Sequence, residues 1–456
     1  MIRHADIVER VAEWQLSHAV IEKDYVLGWL LWGIGSDAKL RDAWVFKGGT
    51  CLKKCYFETY RFSEDLDFTV LPARRQATPE DLEAAVGRLL HRVAEASGLD
   101  FSVRPPMFRV RPVAMSIEGS IYYRGPLAAP MPARVKLDLT SDERVVRPPV
   151  LRTIAHPYPD GLPPPATVRC YSFDELFAEK IRAMAQRCRP RDLYDIVNLY
   201  RHRDLHPNPH LIRPALEEKC AAKGIAFPSV ASLNDPDLVA EMRAEWANML
   251  RHQLPALPPV EDFWDELPHL FDWLEGKDIA PLLSAPVTGD VETGWTPPPT
   301  ITTWRTGVSL EAIRFAAANR LCVELGYQGA RRLIEPYSLR RSRDGNLLLA
   351  AVKTVTGEVR TYRLDRIQSV KVSTRPFRPR YAVEFAASGP TLARPVSSGA
   401  PSRIGPAPGS RRGSAPYAVQ CHWCGRRFPR QTRNTRLNAH KDNYGYPCGS
   451  RQGFLV

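Results

Sequence analysis

Long apolar runs are missing from this 456-residue sequence. No stretch reaches the roughly 18 apolar residues in a row that indicate a membrane-spanning helix. The opening residues, MIRHADIVERVAEW, carry acids early and lack the apolar segment of a secretory signal. The nine cysteines are scattered and odd in number, which argues against a disulfide framework and favours a reducing compartment. We therefore expect a cytoplasmic protein with no membrane partner.

Acidic residues are scarce in the last third of the chain. Residues 388–456 hold 11 Lys and Arg against one acid, and residues 304–387 hold 16 against 7. The remaining residues, 1–303, carry a net charge of −6, although the whole chain carries +13. This uneven distribution indicates that the C-terminal part binds a polyanion such as nucleic acid, although a basic tail can also serve solubility alone.

Proline is plentiful, with 41 residues, and it marks two predicted linkers. Residues 285–304 and 388–416 are rich in Pro, Gly and Ser or Thr and have no apolar period. They predict a domain over 1–284, a module over 305–387 and a small unit over 417–456.

The first domain combines helical and strand-like patterns. Two amphipathic helices are predicted over residues 3–34, and strand-like segments over 101–105, 115–123 and 133–140. Helices predominate from residue 172 onward. The pattern predicts an α/β (α+β) domain whose C-terminal half is helical.

The segment FKGGTCLKKCYFETYRFSEDLDFTV (46–70) contains the strongest chemical signal. Asp65 and Asp67 lie on one face of a predicted strand, because side chains alternate there. Two such carboxylates repel each other unless a cation holds both, and Mg²⁺ prefers oxygen ligands while keeping positions open for phosphate. The turn from Gly48 to Thr50, just before a helix, can offer backbone N–H groups to phosphate. The segment predicts metal-dependent phosphoryl or nucleotidyl transfer, although an isolated D-x-D is often only a solvated strand face.

A second segment, SFDELFAEKIRAMAQRCRPRDLYDIVNLY (172–200), supplies a cation and two more carboxylates. Lys180 lies within an apolar helical stripe, where a lysine either meets an anion in a cleft or extends its amine to the core edge. Asp192 and Asp195 face roughly the same way on the next helix. Either could pair with Lys180 or Arg191, orient the nucleophile, or cap the helix.

The start of this helix is also predicted. Ser172 and Glu175 have the spacing of a capping box, in which each side chain binds the other residue's backbone N–H. We therefore expect the helix that carries Lys180 to begin at Phe173.

These segments, together with EKDYVLGWLLWGI (22–34), resemble the motifs of the AbiEii/AbiGii toxin nucleotidyltransferase family, which includes the MenT toxins. The resemblance spans roughly residues 1–280. It implies a polymerase-β-like nucleotidyltransferase fold, an NTP substrate and a Mg²⁺ cofactor. Members of this family act as toxins in toxin–antitoxin or phage-defence pairs, and some add nucleotides to the 3′ end of tRNA.

The resemblance implies a role for individual residues. Asp65 and Asp67 would hold Mg²⁺, Lys180 would contact the NTP phosphates, and Asp192, with Asp195 close behind, would complete the site. Asp138, on the polar side of the predicted strand ARVKLDLT, is either the third carboxylate of polymerase-β-like enzymes or an ordinary exposed residue. The implied nucleotide-binding residues are Lys47, Gly48, Gly49, Thr50, Ser63 and Lys180.

Residues 315–372 resemble a WYL domain, a small Sm-like β-barrel found beside bacterial regulators and defence proteins. Such modules are thought to bind nucleic acid or nucleotide ligands. Here LLL (347–349) replaces the WYL tripeptide, which removes its aromatic residues. The residues proposed to contact a ligand are Arg331, Arg332, Arg363 and Arg366; a plain solvated β-surface would also carry arginines.

The C-terminal unit contains a metal-ligand pattern. Cys421 and Cys424 form a C-x₂-C pair, and His440 and Cys448 follow. A segment this short cannot bury enough hydrophobic surface to stabilise a fold. A structural Zn²⁺ would therefore supply the folding free energy. His422 could replace His440. Basic residues there, including Arg426 and Arg427, predict a surface for RNA or DNA.

Taken together, the sequence predicts a Mg²⁺-dependent nucleotidyltransferase toxin that acts on RNA, with tRNA as the favoured acceptor and a cognate antitoxin as a possible partner. Two alternatives remain. One is a WYL-type nucleic-acid-binding regulator whose first domain only binds nucleotide. The other is an enzyme that transfers the nucleotide to a protein.

Overall fold

The computed structural model of the full chain describes most of its residues. The described ranges are 1–57, 61–71, 78–111, 115–202, 207–277, 282–287, 310–386, 389–390, 417–421, 426–430, 432–441, 447–448 and 452–455. Most of the two predicted linkers (288–304 and 391–416) lies outside these ranges, as do His422 and Cys424. The chain forms two compact units, Met1–Val396 and Ser397–Val456, which are described separately.

Helices make up much of the first unit. They are α1 (His4–Trp14), α2 (His18–Ser36), α3 (Ala38–Ala43), α4 (Gly48–Cys51), α5 (Pro79–Ser97), α6 (Phe173–Arg187), α7 (Pro190–Arg201), α8 (Pro209–Ala222), α9 (Val230–Leu233), α10 (Pro236–Leu250), α11 (Glu261–Trp264), α12 (Leu267–Leu274) and α13 (Leu310–Ala318). A π-helical turn (Leu52–Tyr56) continues α4, and 3₁₀ turns cover Arg251–Gln253 and Leu364–Arg366.

Strands form two main sheets and one short strand pair in the first unit, and smaller sheets in the second unit. In the first unit they are β1 (Trp44–Lys47), β2 (Asp65–Val70), β3 (Met107–Arg111), β4 (Ser116–Tyr123), β5 (Ala133–Thr140), β6 (Val150–Thr153), β7 (Thr167–Cys170), β8 (Leu321–Tyr327), β9 (Ala330–Arg341), β10 (Leu347–Lys353), β11 (Val359–Arg363), β12 (Ile367–Pro376), β13 (Phe385–Ala386) and β14 (Gly389–Pro390). In the second unit they are β15 (Tyr417–Cys421), β16 (Arg427–Arg430), β17 (His440–Lys441), β18 (Pro447–Cys448) and β19 (Gly453–Leu455).

The first sheet has seven strands in the order β3-β4-β5-β2-β1-β7-β6. Strand β2 lies near its centre, parallel to β5 and antiparallel to β1. The mixed α/β fold with a helical second half agrees with the sequence prediction. The strand predicted over 101–105 is wrong, because pairing begins only at Met107, after the two prolines at 105 and 106 that cannot donate to a ladder.

Helix α2 differs from the amphipathic helix that the sequence predicts. Its side chains are buried around most of the helix surface. Two of its charged residues, Glu22 and Asp24, are also buried, and Asp24 accepts hydrogen bonds from Lys54 (2.7 Å) and from the Tyr158 hydroxyl (2.9 Å). Paired in this way, a carboxylate can be buried in the centre of the domain.

Helix α6 begins where the sequence predicts, but the capping box is only half formed. The Ser172 hydroxyl accepts a hydrogen bond from the Glu175 backbone N–H (3.3 Å). The Glu175 carboxylate does not return to Ser172; it accepts from the backbone N–H groups of Val146 (2.8 Å) and Arg147 (3.0 Å) and pairs with Lys219. Because three donors already satisfy this buried carboxylate, it does not also accept a hydrogen bond from the Ser172 backbone N–H.

The second sheet is antiparallel, with five strands in the order β11-β10-β9-β8-β12 and helix α13 packed against it. The 3₁₀ turn Leu364–Arg366 separates β11 from β12. The LLL residues 347–349 start β10, and Leu348 and Leu349 are buried. One continuous hydrophobic core contains residues of both sheets.

The second unit has a three-stranded sheet, β16-β15-β19, and a short β17–β18 pair. Its small core contains Val419, Cys421, Leu437 and Cys448. In the part of the chain that the structure describes, no helix has the length and apolar character needed to cross a membrane.

Candidate active site

Three carboxylates meet at the centre of the first sheet. Asp67 lies directly beside Asp138, because β2 and β5 pair in parallel with these two residues in register. Asp65 is on the same face of β2, while the intervening Leu66 is fully buried on the other face. The Oδ1 atom of Asp138 is buried and has no hydrogen-bond partner among the described residues. Asp138 therefore lies next to Asp67, and its role as a third carboxylate of the site stays a prediction.

The electrostatics of Asp67 indicate that a cation belongs here. Burial raises the pKa of Asp67, and the charges of Asp65 and Asp138 raise it further, while Lys47 and Lys180 oppose these effects without cancelling them. Carboxylate oxygens in a cluster are the ligands that Mg²⁺ prefers. The carboxylates of Asp65 and Asp67, with Asp138 beside them, thus fit a divalent cation.

The residues predicted as a glycine turn before a helix, Gly48 to Thr50, form the first turn of helix α4 itself, and this glycine turn packs tightly against strand β2. Gly48 has a φ of 80°, a conformation that side chains rarely adopt, and a Cβ there would overlap the Asp67 carboxylate. The Thr50 hydroxyl is fully buried and donates to the backbone carbonyl of Asp65 (2.5 Å). A hydroxyl has one proton, so in this state Thr50 fixes the turn to the strand and cannot also donate to a phosphate.

Gly49 is required for a different reason. A Cβ on Gly49 would overlap the Arg61 guanidinium and lie 3.1 Å from the Ser63 hydroxyl oxygen. Ser63, which is only partly buried, therefore lies beside the turn where the sequence predicts a phosphate contact. Four of the predicted nucleotide-binding residues, Gly48, Gly49, Thr50 and Ser63, thus lie close together.

Lys47 ends strand β1 next to Asp67, with which it is in antiparallel register. Its amine pairs with Glu143 and lies 3.4 Å from the Thr140 hydroxyl. Burial lowers the pKa of Lys47, but the carboxylates of Glu143, Glu179 and Asp67 outweigh this and raise it. Lys47 is therefore a permanently charged ammonium beside the carboxylate cluster.

Helices α6 and α7 contribute a second charged cluster. Lys180 contacts Asp195 (2.7 Å) and Asp192 (3.5 Å), so both predicted carboxylates pair with it. Arg61 binds both oxygens of Asp195 (2.7 and 2.8 Å), and Arg187 binds both oxygens of Asp192 (2.6 and 2.9 Å). Burial would raise the pKa of Asp195, but Arg61 and Lys180 hold it far below its usual value. Both aspartates are fully buried.

Three residues of this site were not predicted from the sequence. Arg61 lies two residues before Ser63 in the quoted segment, so an arginine at that spacing was a visible signal. Arg187 lies five residues before Asp192, across the break between two helices, where side-chain spacing gives no guide. Glu143 follows β5 in a loop, and no periodicity indicates that it reaches Lys47. Arg191, one predicted partner of the aspartates, instead donates to the Met249 carbonyl (3.4 Å).

The arrangement as a whole has an anionic and a cationic side. Asp65, Asp67 and Asp138 form the first, while Lys47 and Lys180 lie close enough to lower the pKa of Asp67. Such a site can hold a divalent cation against carboxylates and an anionic ligand against lysines, as phosphoryl-transfer chemistry requires.

In the second sheet, two of the predicted arginines meet at Tyr327. The Arg332 guanidinium lies over the Tyr327 ring (5.6 Å), and the Arg363 backbone N–H donates to the Tyr327 hydroxyl (3.4 Å). The Arg363 side chain forms a bidentate ion pair with Asp365 (2.6 and 3.0 Å), which neutralises it. The other two, Arg331 and Arg366, are exposed.

In the C-terminal unit, three of the four predicted zinc ligands lie together. The ligand atoms of Cys421, His440 and Cys448 are all within 4.8 Å of one another, and the two Sγ atoms are 3.8 Å apart. The His440 Nδ1 atom is 2.9 Å from the Asn438 carbonyl, a hydrogen bond that fixes the ring as it does in many metal-binding histidines. The fourth predicted ligand, Cys424, lies outside the described residues.

The basic residues of this unit lie next to that cluster. Arg427 donates to the Gln420 side chain (3.3 Å), and the Arg426 guanidinium lies 5.7 Å from the centre of the Phe428 ring. Both arginines are exposed. Their role in nucleic-acid binding stays a prediction.

Comparison with known families identifies the first domain. The model of the AbiEii family, described as nucleotidyl transferase AbiEii toxin of a type IV toxin–antitoxin system, matches residues 29–274. The match covers more than half of the 456 residues. The chain belongs to this family. The WYL domain model matches residues 308–372, so both resemblances seen in the motifs are confirmed.

Two solved structures are similar to parts of this chain. The nucleotidyltransferase toxin MenT4 from Mycobacterium tuberculosis is 20% identical, covers 61% of this chain and 91% of its own, and has a TM-score of 0.37. The proteasome accessory factor PafBC of Arthrobacter aurescens is 27% identical over 21% of this chain and 15% of its own, with a TM-score of 0.16. Superposition this loose carries no argument about individual residues. No curated protein matches the chain.

Proposed function

We propose that this AbiEii-family protein transfers a nucleoside monophosphate from an NTP to a hydroxyl group of RNA, with the tRNA 3′ end as the favoured acceptor, in a Mg²⁺-dependent reaction. The observation that carries the proposal is the in-register pair Asp67 and Asp138, which faces the ammonium groups of Lys47 and Lys180. As in its family, the protein would act as a toxin that a cognate antitoxin restrains.

The metal would bind to Asp65 and Asp67. When bound, Mg²⁺ neutralises the charge that develops on the triphosphate. The turn from Gly48 to Thr50 is held rigidly against β2, so its backbone geometry is already set before the nucleotide binds. Ser63, beside this turn, would donate a hydrogen bond from its hydroxyl to a phosphate oxygen. The Thr50 hydroxyl cannot do so while it donates to the Asp65 carbonyl.

Lys180 would move from its aspartates to the triphosphate. This exchange leaves no buried charge unpaired, because Arg61 holds both oxygens of Asp195 and Arg187 holds both oxygens of Asp192. A carboxylate that lost its sole partner would be strongly destabilising. The two arginines are therefore positioning residues that let Lys180 serve the substrate.

Asp138 would accept the proton of the attacking hydroxyl. Its Oδ1 atom is buried and has no hydrogen-bond donor among the described residues, so it is available as a base beside the metal ligands. The acceptor oxygen then forms a bond to the α-phosphorus, the bond between the α-phosphorus and the bridging oxygen breaks, and pyrophosphate leaves.

The basic C-terminal part would bind the RNA. Residues 304–456 carry a net charge of +19, whereas the domain with the active site is acidic. Affinity for a polyanion would therefore come from this C-terminal part. Exposed candidates in the described residues are Arg331, Arg366, Arg426 and Arg427.

The test incubates the purified full chain with Mg²⁺, each α-labelled NTP in turn, total tRNA and cellular protein. Label in tRNA that disappears with Asp67→Asn but persists with Asp42→Asn would support the proposal; Asp42 is a matched control because its side chain is 64% exposed. Label in protein would instead establish protein nucleotidylation. Absence of label with all four NTPs, despite NTP binding, would refute catalysis under these conditions.

A second candidate function is nucleic-acid binding by a WYL-type regulator, which the match over residues 308–372 favours. In that case Asp67→Asn would leave both nucleic-acid affinity and biological effect unchanged. Loss of toxicity in Asp67→Asn, with nucleic-acid affinity retained, would exclude it.

A further inference from the structure

Three buried cysteines lie directly behind the glycine turn. Cys51 ends α4, Cys55 lies in the π-helical turn that follows, and Cys170 ends β7. Their Sγ atoms are all within 4.8 Å of one another, although Cys170 is more than a hundred residues away in sequence. Cys51 and Cys170 are fully buried, and Cys55 is 7% exposed.

The fold brings these thiols together through the central sheet. Strand β7 pairs in parallel with β1, with Cys170 opposite Phe46, and β1 leads straight into α4. Cys51 and Cys55 are four residues apart along the helical segment, so both side chains reach Cys170 of β7. Buried cysteines are often ordinary small core residues, and the sequence alone favours that interpretation for these three. Convergence of all three sulfur atoms on one point requires another explanation.

The spacing suits a metal ion. An ion about 2.3 Å from each of three thiolates in one plane separates the sulfur atoms by about 4 Å, which lies within the observed limit. In the described residues, no His, Asp or Glu joins the cluster, so the protein offers three sulfur ligands. Zn²⁺ in structural sites takes four ligands, whereas soft thiolate sets also select Cu(I).

The surroundings contain a compensating charge. The Arg152 guanidinium donates to the Cys55 carbonyl (3.1 Å) and lies over the Tyr56 ring (4.6 Å). The Tyr56 hydroxyl donates to the Tyr171 carbonyl (2.6 Å) and is 3.9 Å from the Cys170 Sγ atom. A partly buried arginine beside the cluster reduces the cost of placing thiolates in the core.

We propose that Cys51, Cys55 and Cys170 form a closed, three-coordinate site for one thiophilic metal ion, and that the ion is Cu(I). The site does not depend on the proposed function of the domain. A bound ion ties α4 and the π-helical turn to β7, and thereby fixes the turn that begins at Gly48.

The test uses the full chain, reduced and kept anaerobic, titrated with Cu(I) against a chromophoric Cu(I) chelator and, in parallel, with Zn²⁺. We expect Cys51→Ala and Cys170→Ala each to lose one Cu(I) equivalent relative to the wild type. Cys322→Ala, which removes another buried cysteine, should lose none. The C-terminal cysteines remain in every variant, so their contribution cancels in the comparison.

A second measurement leaves the three cysteines of the cluster unchanged and distinguishes them from the C-terminal cysteines. X-ray absorption of the wild-type protein with one Cu(I) bound should show three sulfur neighbours at about 2.3 Å, and this signal should persist when Cys421 and Cys448 are replaced by alanine. Equal Cu(I) stoichiometry in wild type and Cys51→Ala would overturn the proposal. A disulfide among the three residues that resists the reductant would also overturn it. The same holds if the cluster binds Zn²⁺ more tightly than Cu(I).

Discussion

Replacing Asp67 with asparagine should make the apo-protein more stable while it abolishes activity. The pKa of Asp67 is raised in the folded state, so folding favours its neutral form. A group of this kind stabilises the fold only at low pH, and that stabilisation is lost as the pH rises through the folded-state pKa. At neutral pH the ionised Asp67 is therefore a net cost, and asparagine removes it without changing the shape of the side chain.

The size of the effect follows from the sheet geometry. Unit charges about 4.8 Å apart, the spacing of neighbouring strands, repel by about 3 kcal/mol at an effective dielectric constant of 20. This repulsion acts between Asp67 and Asp138, while attraction from Lys47 and Lys180 offsets much of it. The uncompensated part of this repulsion leaves an expected net gain of about 1 kcal/mol, or roughly 2 °C in Tm for a domain of this size.

Thermal unfolding in EDTA and in Mg²⁺ checks this reasoning. In EDTA, Asp67→Asn should unfold at a higher temperature than the wild type, and Asp42→Asn should match the wild type. Mg²⁺ at ten times its Kd should stabilise the wild type by about 1.4 kcal/mol and leave Asp67→Asn unchanged. If Asp67→Asn lowers the Tm in EDTA, the carboxylate cluster is not electrostatically strained and the argument for a cation site fails.

Three further predictions follow from the charged clusters. Arg61→Met should destabilise the first domain by about 3 to 5 kcal/mol, because it removes both guanidinium hydrogen bonds from the buried Asp195 carboxylate; urea unfolding beside Arg41→Met, an exposed control, measures this. The pKa of Asp195 is depressed in the folded state, so its ionised form stabilises the fold above the unfolded-state pKa of about 3.9, and this stability is lost as the pH falls. The free energy of unfolding should therefore drop less steeply between pH 5 and 3 in Asp195→Asn than in the wild type. Removing Zn²⁺ with a chelator, or replacing Cys448 with serine, should release one zinc per chain and unfold the C-terminal unit, as elemental analysis and protease sensitivity of residues 417–456 would show.

The elements that depend on local pattern were predictable from the sequence. Alternation in DLDFTV gave β2 and the shared face of Asp65 and Asp67 because burial on one side of a strand imposes a period of two. The Ser172 cap and the apolar stripe gave α6 and the position of Lys180 for the same kind of reason. These features require only neighbours in sequence.

Features that depend on distant contacts were not predictable. The partner of Lys47 is Glu143, 96 residues away, and the partner of Asp195 is Arg61, 134 residues away. The Glu175 carboxylate left its local capping role because backbone N–H groups from another segment reach it. In each case a buried polar group takes the nearest donor in space, and one sequence without its fold does not reveal which donor that is.

The WYL module contacts both segments that the Arg61–Asp195 ion pair joins. Phe315 of α13 lines a recess together with Phe62, the residue after Arg61. Asn319, just past the end of α13, hydrogen bonds with the side chain of Tyr194, the residue before Asp195. Since the hydrophobic core also runs without interruption from the first sheet into the second, α13 supports the same charged cluster that positions Lys180. The WYL module is thus a structural part of the catalytic unit, and a change in the position of α13 would act on Arg61 and Asp195 together.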